Sequence, residues 1–376
     1  MAKLHLIIAD MDEYYVESIA NYITDNYSQR FQITCITKQN FLSDYFSVNK
    51  KEVDILLLSP EWYTDVFPKE MVNTPIILSR GMLDIEMNGW DVINKYQKGD
   101  RLVSNIIDCF AERNPDKYCI IDGEKRTKVI SVYSPIGGAG KTSIAVGLSV
   151  RAACREKTVF YLNLEDIQST PHFFDCKTRQ NFSNMLYYIK ENKKNITLKI
   201  EGIRNTDFQH SIHYFSPPDN IMDLNETSPD EIKSLLHQLK ISNNYDLIVI
   251  DMSSNIDDRN ISILKESDQI VLINQHDSLA MMKIDLFLKE LEILSKRNKL
   301  NLLEKTTIVL NKYLENGMLQ IEGLDFSGKS IGAKIPVVME PIIVYKNNYS
   351  KELRSKFEEG IDQLLTKIEE NIKDRI

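Results

Sequence analysis

The segment KVISVYSPIGGAGKTSIAVGLSVRAA, starting at Lys128, constrains this chain more than any other. A β-branched strand runs into a glycine loop and then into an apolar helix. Glycine is scarce, 14 in 376 residues, yet Gly137, Gly138 and Gly140 fall within four positions. Strand, glycine loop and helix in that order are the context a phosphate-binding loop requires. The glycines let backbone N–H groups curl round phosphate oxygens at the start of the helix. Gly137, Gly138, Ala139, Gly140, Lys141, Thr142 and Ser143 are therefore the expected nucleotide contacts. Lys141 supplies a point charge for the β- and γ-phosphates, and the Thr142 hydroxyl a ligand for Mg²⁺.

The rest of the chain alternates short apolar runs with helical periodicity. LHLIIAD (4–10), FQITCIT (31–37), VDILLLS (53–59) and TPIILS (74–79) read as strands, and 14–27 and 102–112 as helices. Beyond Lys128 the strands are 128–134, 158–164, 213–218, 245–251, 269–275 and 306–312. Ser228, Pro229 and Glu231 form a helix-start signal, with Ser228 as N-cap and Glu231 completing a capping box. Apolar strands alternating with helices predict parallel sheets covered on both faces. The expected fold is α/β, with two doubly wound parallel-sheet domains. The first covers 1–112 and is flavodoxin-like. A polar linker spans 113–126, and a larger P-loop domain spans 127–376.

Composition excludes several classes. The five cysteines, at 35, 109, 119, 154 and 176, are odd in number and contain no CxxC pair. A disulfide framework or zinc cluster is not expected, and the cytoplasm is the expected compartment. The start MAKLHLIIADMDE meets acid too early for a secretory signal, and no apolar run reaches the ~20 residues that span a bilayer. The N-x-[ST] matches at Asn195 and Asn225 then carry no meaning. The net charge of −8 is unevenly held: residues 1–122 contain 12 basic and 19 acidic side chains, residues 123–376 contain 34 and 35. The first half is thus an acidic surface, suited to a basic protein partner rather than a phosphate backbone.

The loop P-I-G-G-A-G-K-T-S resembles the deviant Walker A loop of the MinD/ParA family of dimeric ATPases, whose pattern is K-G-G-x-G-K-[ST]-[ST]. That resemblance implies ATP, Mg²⁺ and a homodimer. The family's signature lysine, which reaches across the dimer to the partner's nucleotide, is replaced by Ile136. Slow hydrolysis, or hydrolysis dependent on a partner, is the expected result. TVFYLNLEDIQ resembles the family's D-x-D-P-Q-G motif, with Asn163 at the first acid and Glu165 at the second, the group that positions the attacking water. YDLIVID reads as a Walker B strand that ends on Asp251, a further Mg²⁺ position. Lys141, Glu165 and Asp251 are the candidate catalytic residues, and Thr142 and Asp251 the candidate metal residues. After the strand TTIVLNK, Asn311 and Lys312 match only half of the N-K-x-D guanine motif, because Leu314 replaces its Asp. In the resembled family this Asn contacts adenine, and IPVVMEP (335–341) resembles its base-covering loop, which brings in Pro336.

The first half resembles a response-regulator receiver. Asp10 and Asp12 stand for its acidic pair, Ser79 for its fourth-strand hydroxyl and Lys95 for its fifth-strand lysine. Ser59 occupies the phosphoacceptor position, so aspartyl phosphorylation has no nucleophile there. The domain is therefore expected to be a pseudo-receiver, a docking or dimerisation module. A pseudo-receiver joined to a deviant Walker ATPase is similar to the TadZ/CpaE proteins of Tad (Flp) pilus assembly. That resemblance implies a nucleotide-gated scaffold that recruits pilus secretion machinery, with polar localisation through partners. The competing expectations are a MinD/ParA-type ATPase cycling on DNA or membrane, and a phospho-signalling regulator.

Three features are read as structural. His210-x-x-His213 lacks a neighbouring Cys or acid cluster for a metal. Asp257-Asp258-Arg259, beyond the Walker B strand, reads as a solvated turn rather than a switch loop. The C-terminal stripe Leu364, Leu365, Ile368, Ile372 and Ile376 belongs to a segment (351–376) with six basic and seven acidic residues. Anionic lipid favours a Lys/Arg-rich polar face, so packing on the ATPase core is expected and membrane contact is peripheral at most.

Overall fold

The structure is a computed structural model. It describes residues 3–27, 30–48, 52–64, 71–81, 89–114, 127–176, 180–191, 193, 196–242, 244–313, 331–337 and 351–373. Most of the expected linker, from 115 to 126, lies outside the described residues, as do Leu314, residues 338–350 and Ile376. The chain forms two units, residues 1–121 with 192–203, and residues 122–191 with 204–376.

The first unit runs β1 (Leu4–Ala9), α1 (Glu13–Tyr27), β2 (Phe31–Ile36), α2 (Gln39–Val48), β3 (Val53–Leu58), β4 (Val72–Ser79), β5 (Asp91–Asn94) and α3 (Gly99–Arg113). All strand pairs are parallel, in the order β2-β1-β3-β4-β5. That is the flavodoxin-like order. Strand side chains alternate between the two faces. Leu4, Leu6 and Ile8 pack with Val16, Ile19, Ile23 and the α3 residues Ile106 and Phe110. Ile7 and Ala9 pack on the other face with Leu42 and Phe46 of α2. β5 has no apolar run because it is four residues long and alternates buried with solvated positions.

The second unit begins with β6 (Lys128–Tyr133), α4 (Lys141–Cys154), β7 (Val159–Leu164), α5 (Thr170–Phe173) and α6 (Phe182–Lys190). Next in the chain comes α7 (Ile196–Ile203), which belongs to the first unit. The second unit resumes with β8 (Asn205–Thr206), β9 (His213–Tyr214), α8 (Ile221–Asn225), α9 (Pro229–Ile241), β10 (Leu247–Met252) and α10 (Asp258–Glu266). It ends with β11 (Gln269–Gln275), α11 (Ser278–Asn298), β12 (Thr306–Tyr313), β13 (Ile331–Pro336) and α12 (Lys351–Lys373). Its sheet order is β13-β12-β11-β6-β10-β7-β9-β8, parallel except for the β8–β9 pair. The predicted strand 213–218 survives only as the two-residue β9. The capping box at Ser228 forms as read, with Ser228 Oγ accepting from Glu231 N and Glu231 accepting from Ser228 N.

One sheet face is packed by α4 and α12. Val132, Val249 and Val271 meet Ile144, Leu148, Ile361, Leu364 and Leu365 there. α12 also clamps α4 by charge: Arg151 donates to both Asp362 oxygens, at 3.0 and 2.5 Å, and Arg155 reaches Asp362 at 3.2 Å. Gly147 makes room for this contact, since a Cβ there would lie 3.2 Å from Phe357 and 3.3 Å from Ile361. Leu364, Leu365 and Ile368 of the C-terminal stripe are thus core, with Ile372 packed at its edge.

α7 changes the expected boundaries, which placed all of 127–376 in one domain. Leu198 joins the first unit's core. Lys199 Nζ pairs with Asp108 Oδ1 at 2.7 Å, and Arg30 with Glu201 at 3.1 Å. Lys199, Arg30 and Glu201 are all buried, so removing one partner strands a charge away from water.

Candidate nucleotide site

The glycine loop leaves the carboxyl end of β6, where the strand order reverses between β10 and β11. Ligands of open α/β sheets bind in that crevice. Gly138 and Gly140 adopt φ 67° and 91°, the left-handed region that costs other residues strain. Among the described residues, a Cβ at Gly137 or Gly138 would meet nothing within 4 Å, so the loop's outer side has room for phosphate. At Gly140 a Cβ would fall 2.3 Å from Asn311 Nδ2. Asn311 needs that approach, because its Nδ2 donates to Ala139 O at 2.8 Å. Lys312 Nζ and Gln275 Nε2 both donate to Gly138 O, at 2.8 and 3.0 Å. The ends of β11 and β12 therefore hold the loop by its carbonyls, which leaves its N–H groups to face a ligand. Pro336 sits at the end of β13, paired in register with Tyr313.

Lys141, at the first position of α4, donates from Nζ to Ser254 Oγ at 2.6 Å. Asp251 is fully buried on β10, opposite Val132 of β6 and Asn163 of β7. Burial pushes its carboxyl up to about 8, the Glu165 charge adds to the rise, and Thr142, Tyr161 and Lys141 oppose it. Tyr161 donates its hydroxyl to Asp251 Oδ2 at 3.0 Å. Asp251 Oδ1 is buried with no hydrogen-bond partner among the described residues. The Asp251 carboxylate, with its orphaned oxygen, and the Thr142 hydroxyl that interacts with it make an oxygen-donor set that fits a hard divalent cation such as Mg²⁺. When bound, such a cation neutralises charge on the β- and γ-phosphates.

Asn163 stands where the resembled motif has an acid. Its Oδ1 accepts from Glu165 N at 2.8 Å, and its Nδ2 donates to Thr170 Oγ1 at 3.2 Å. Ser169 Oγ donates to Glu165 Oε2 at 3.1 Å. A neutral amide opposite Asp251 spares the site a third carboxylate. The structure thus brings Lys141, Thr142, Asn163, Glu165 and Asp251 together at one end of the sheet.

Several contributors are not legible in the sequence. Tyr161, Ser254 and Gln275 act through contacts between segments far apart in sequence. The Asp257–Arg259 segment is corrected from a solvated turn. Asp257 caps α10 by accepting from Asn260 N. Arg259 is buried, donating to Asp166 Oδ1 at 2.9 Å and Leu224 O at 2.8 Å. Asn255 also donates to Asp166, at 2.9 Å, which ties the loop after β10 to the loop after β7. The two histidines have separate partners: His210 contacts Asp207 at 3.0 Å, and His213 lies 2.9 Å from Arg204 and 3.2 Å from the Tyr245 hydroxyl.

In the first unit, Asp10, Ser59, Ser79 and Lys95 are buried where the strands end at the sheet's carboxyl edge. Lys95 Nζ pairs with Asp10 Oδ2 at 2.7 Å and Asp12 Oδ2 at 3.5 Å, and lies 4.4 Å from the Tyr15 ring centroid. Ser59 donates to Glu61, which lowers the Glu61 carboxyl below its usual range. Ser79 Oγ bonds to Gly81 O.

A family model described as an AAA domain matches residues 127–304. A plasmid partition protein of Borrelia burgdorferi B31 bound to AMPPNP is similar in structure, with TM-score 0.50 and 18% identity over 67% of this chain and 100% of that one. The second unit has a MinD/ParA-type P-loop fold. A ParA family ATPase of Chlorobium tepidum TLS (TM-score 0.48, 15% identity, 67% of this chain and 98% of that one) is a further match. So is the septum site-determining protein MinD of Pyrococcus horikoshii OT3 complexed with Mg-ADP (0.49, 16%, 63% and 96%). No curated protein matches the chain. Within this fold the P-loop and Asp251 occupy the carboxyl edge of the sheet. No helix among the described residues is long and apolar enough to cross a membrane.

Proposed function

We propose that this chain is an ATP-dependent switch of the MinD/ParA type, binding Mg-ATP at Gly137–Ser143, Asp251 and Asn311 and dimerising on the nucleotide. The observation that carries this reading is the glycine loop, open on its outer side, set beside a buried Asp251 with one unpartnered oxygen. The nucleotide-bound Borrelia protein of the same fold supports it. Lys141 binds the β- and γ-phosphates. Glu165, anchored by Asn163 and Ser169, orients the attacking water. Asn311 and Lys312 shape the loop, and with Pro336 they border the base. Leu314 in place of an acid removes the acceptor that guanine needs, which favours adenine.

Turnover is slow or partner-dependent, because Ile136 cannot supply a charge across the dimer. Loss of a charged transition-state donor of this kind costs on the order of 10²–10⁵ in rate. An Ile136→Lys variant should hydrolyse ATP faster than the wild type, read by phosphate release. Equal rates would mean that the missing lysine does not limit turnover.

The finer reading is a localisation scaffold of the TadZ/CpaE kind for pilus assembly. Its support is the flavodoxin-like first unit with Ser59, rather than a carboxylate, at the end of β3, and Lys95 already paired with Asp10. Such a pseudo-receiver docks partners and is not phosphorylated. Light scattering with ATP, with ADP and without nucleotide tests the gating: an ATP-specific dimer supports the switch, and an unchanging mass argues against it.

The second reading is an ATPase cycling on DNA or membrane, favoured by the retained Glu165. Stimulation of turnover by DNA or by anionic vesicles would favour it over the scaffold.

A further inference from the structure

Tyr161 is wholly buried on β7, and its hydroxyl lies against a group that the nucleotide site uses. In register, Tyr161 pairs with Val249 and Asn163 with Asp251, so Tyr161 and Asn163 share the sheet face that α4 covers. From there Tyr161 donates to Asp251 Oδ2 at 3.0 Å. The other oxygen, Oδ1, has no hydrogen-bond partner among the described residues. A carboxylate with both oxygens free can rotate and present either one. This carboxylate cannot, because one oxygen is held by a rigid phenol.

The ring itself is fixed by packing. It lies 5.4 Å from Phe174, centroid to centroid, inside the core that includes Val249 and Tyr214. A phenol on such a support holds its hydrogen bond at little entropic cost.

We infer that Tyr161 is a positioning residue for the divalent cation: by occupying Oδ2 it fixes the orientation of the Asp251 carboxylate and leaves Oδ1 as the oxygen free for the cation. Asp251 then serves the cation through a single oxygen of set direction, directly or through one water. This rests on reading the site as one for Mg-ATP. A phenylalanine at 161 keeps the ring and its packing, removes the Tyr161 donor from Oδ2, and frees the carboxylate to turn.

The test is a Tyr161→Phe variant of the full chain, with fluorescent ATP titrated in chelator and across a Mg²⁺ series. Partners that orient metal ligands typically contribute about 10–100-fold to metal affinity. The Mg²⁺ midpoint for tight ATP binding should rise by about that factor, while ATP affinity in chelator stays within about twofold of wild type. On an Asp251→Asn background the same substitution should shift the midpoint no further. An unmoved Mg²⁺ midpoint, an equal loss with and without Mg²⁺, or a full additional loss on Asp251→Asn would each overturn the role of Tyr161. Failure of the wild type to bind ATP at all would overturn the nucleotide reading, and this inference with it.

Discussion

At the scale of single residues, the glycine loop sets sharp limits. Gly140 combines φ 91° with a Cβ position 2.3 Å from Asn311 Nδ2. Gly140→Ala should therefore cost about 1–3 kcal/mol of stability and displace Asn311 from the loop. Gly137→Ala, into open space, should stay within about 1 kcal/mol of wild type. Urea midpoints of the two variants check both values. His213 makes a second prediction. Burial, and then the Arg204 charge, hold its imidazole well below its ordinary 6.5. The unfolded chain then takes up a proton that the folded chain refuses. Its contribution to stability is complete above pH 6.5 and is lost as pH falls toward the folded value. His213→Gln should flatten the acid limb of the thermal stability profile between neutral pH and pH 5.

At the scale of elements, α12 decides between two readings of one amphipathic stripe. Leu364 and Leu365 sit in the core against α4, and the Arg151–Asp362 fork fixes the helix register. Releasing the stripe to lipid would expose that core. Leu364→Ala should cost about 2–5 kcal/mol, read by denaturant unfolding. The wild type should not gain sedimentation with anionic vesicles on adding ATP. The capping box, the glycine loop and the apolar strands are all legible because they depend on neighbours in sequence. β5 is not, since four residues with one deeply buried position give no apolar run. Arg259 escapes a reading of its neighbours because its partners, Asp166 and Leu224, are 93 and 35 residues away.

At the scale of the whole chain, the first unit is not one continuous stretch. Its core includes Leu198, and its ion pairs include Lys199 with Asp108 and Glu201 with Arg30. A fragment of residues 1–121 should be markedly less stable than the same fragment with 192–203 attached through a flexible linker. The short fragment loses the apolar contacts of Leu198 with the core and both ion pairs. Circular dichroism melts of both fragments check this; equal melting temperatures would refute it. The acidic balance of residues 1–122 then belongs to a unit that the second half of the chain completes.

Sequence alone determined the α/β class, the glycine loop, Asp251 near the end of its strand, Glu165 after the strand that follows the loop helix, and the missing lysine at Ile136. The first three follow from local pattern (periodicity, turn residues, a charge ending an apolar run), and the roles of Glu165 and Ile136 follow from the resemblance to the MinD/ParA motifs. Tertiary structure alone decided that Tyr161 holds one oxygen of Asp251, that Asn311, Lys312 and Gln275 hold the loop by its carbonyls, that Arg151 and Arg155 tie α12 to α4, and that α7 completes the first unit. Those depend on which strands lie side by side and which helix covers them. No short window of residues encodes that, because the contacts join positions 90 to 214 residues apart.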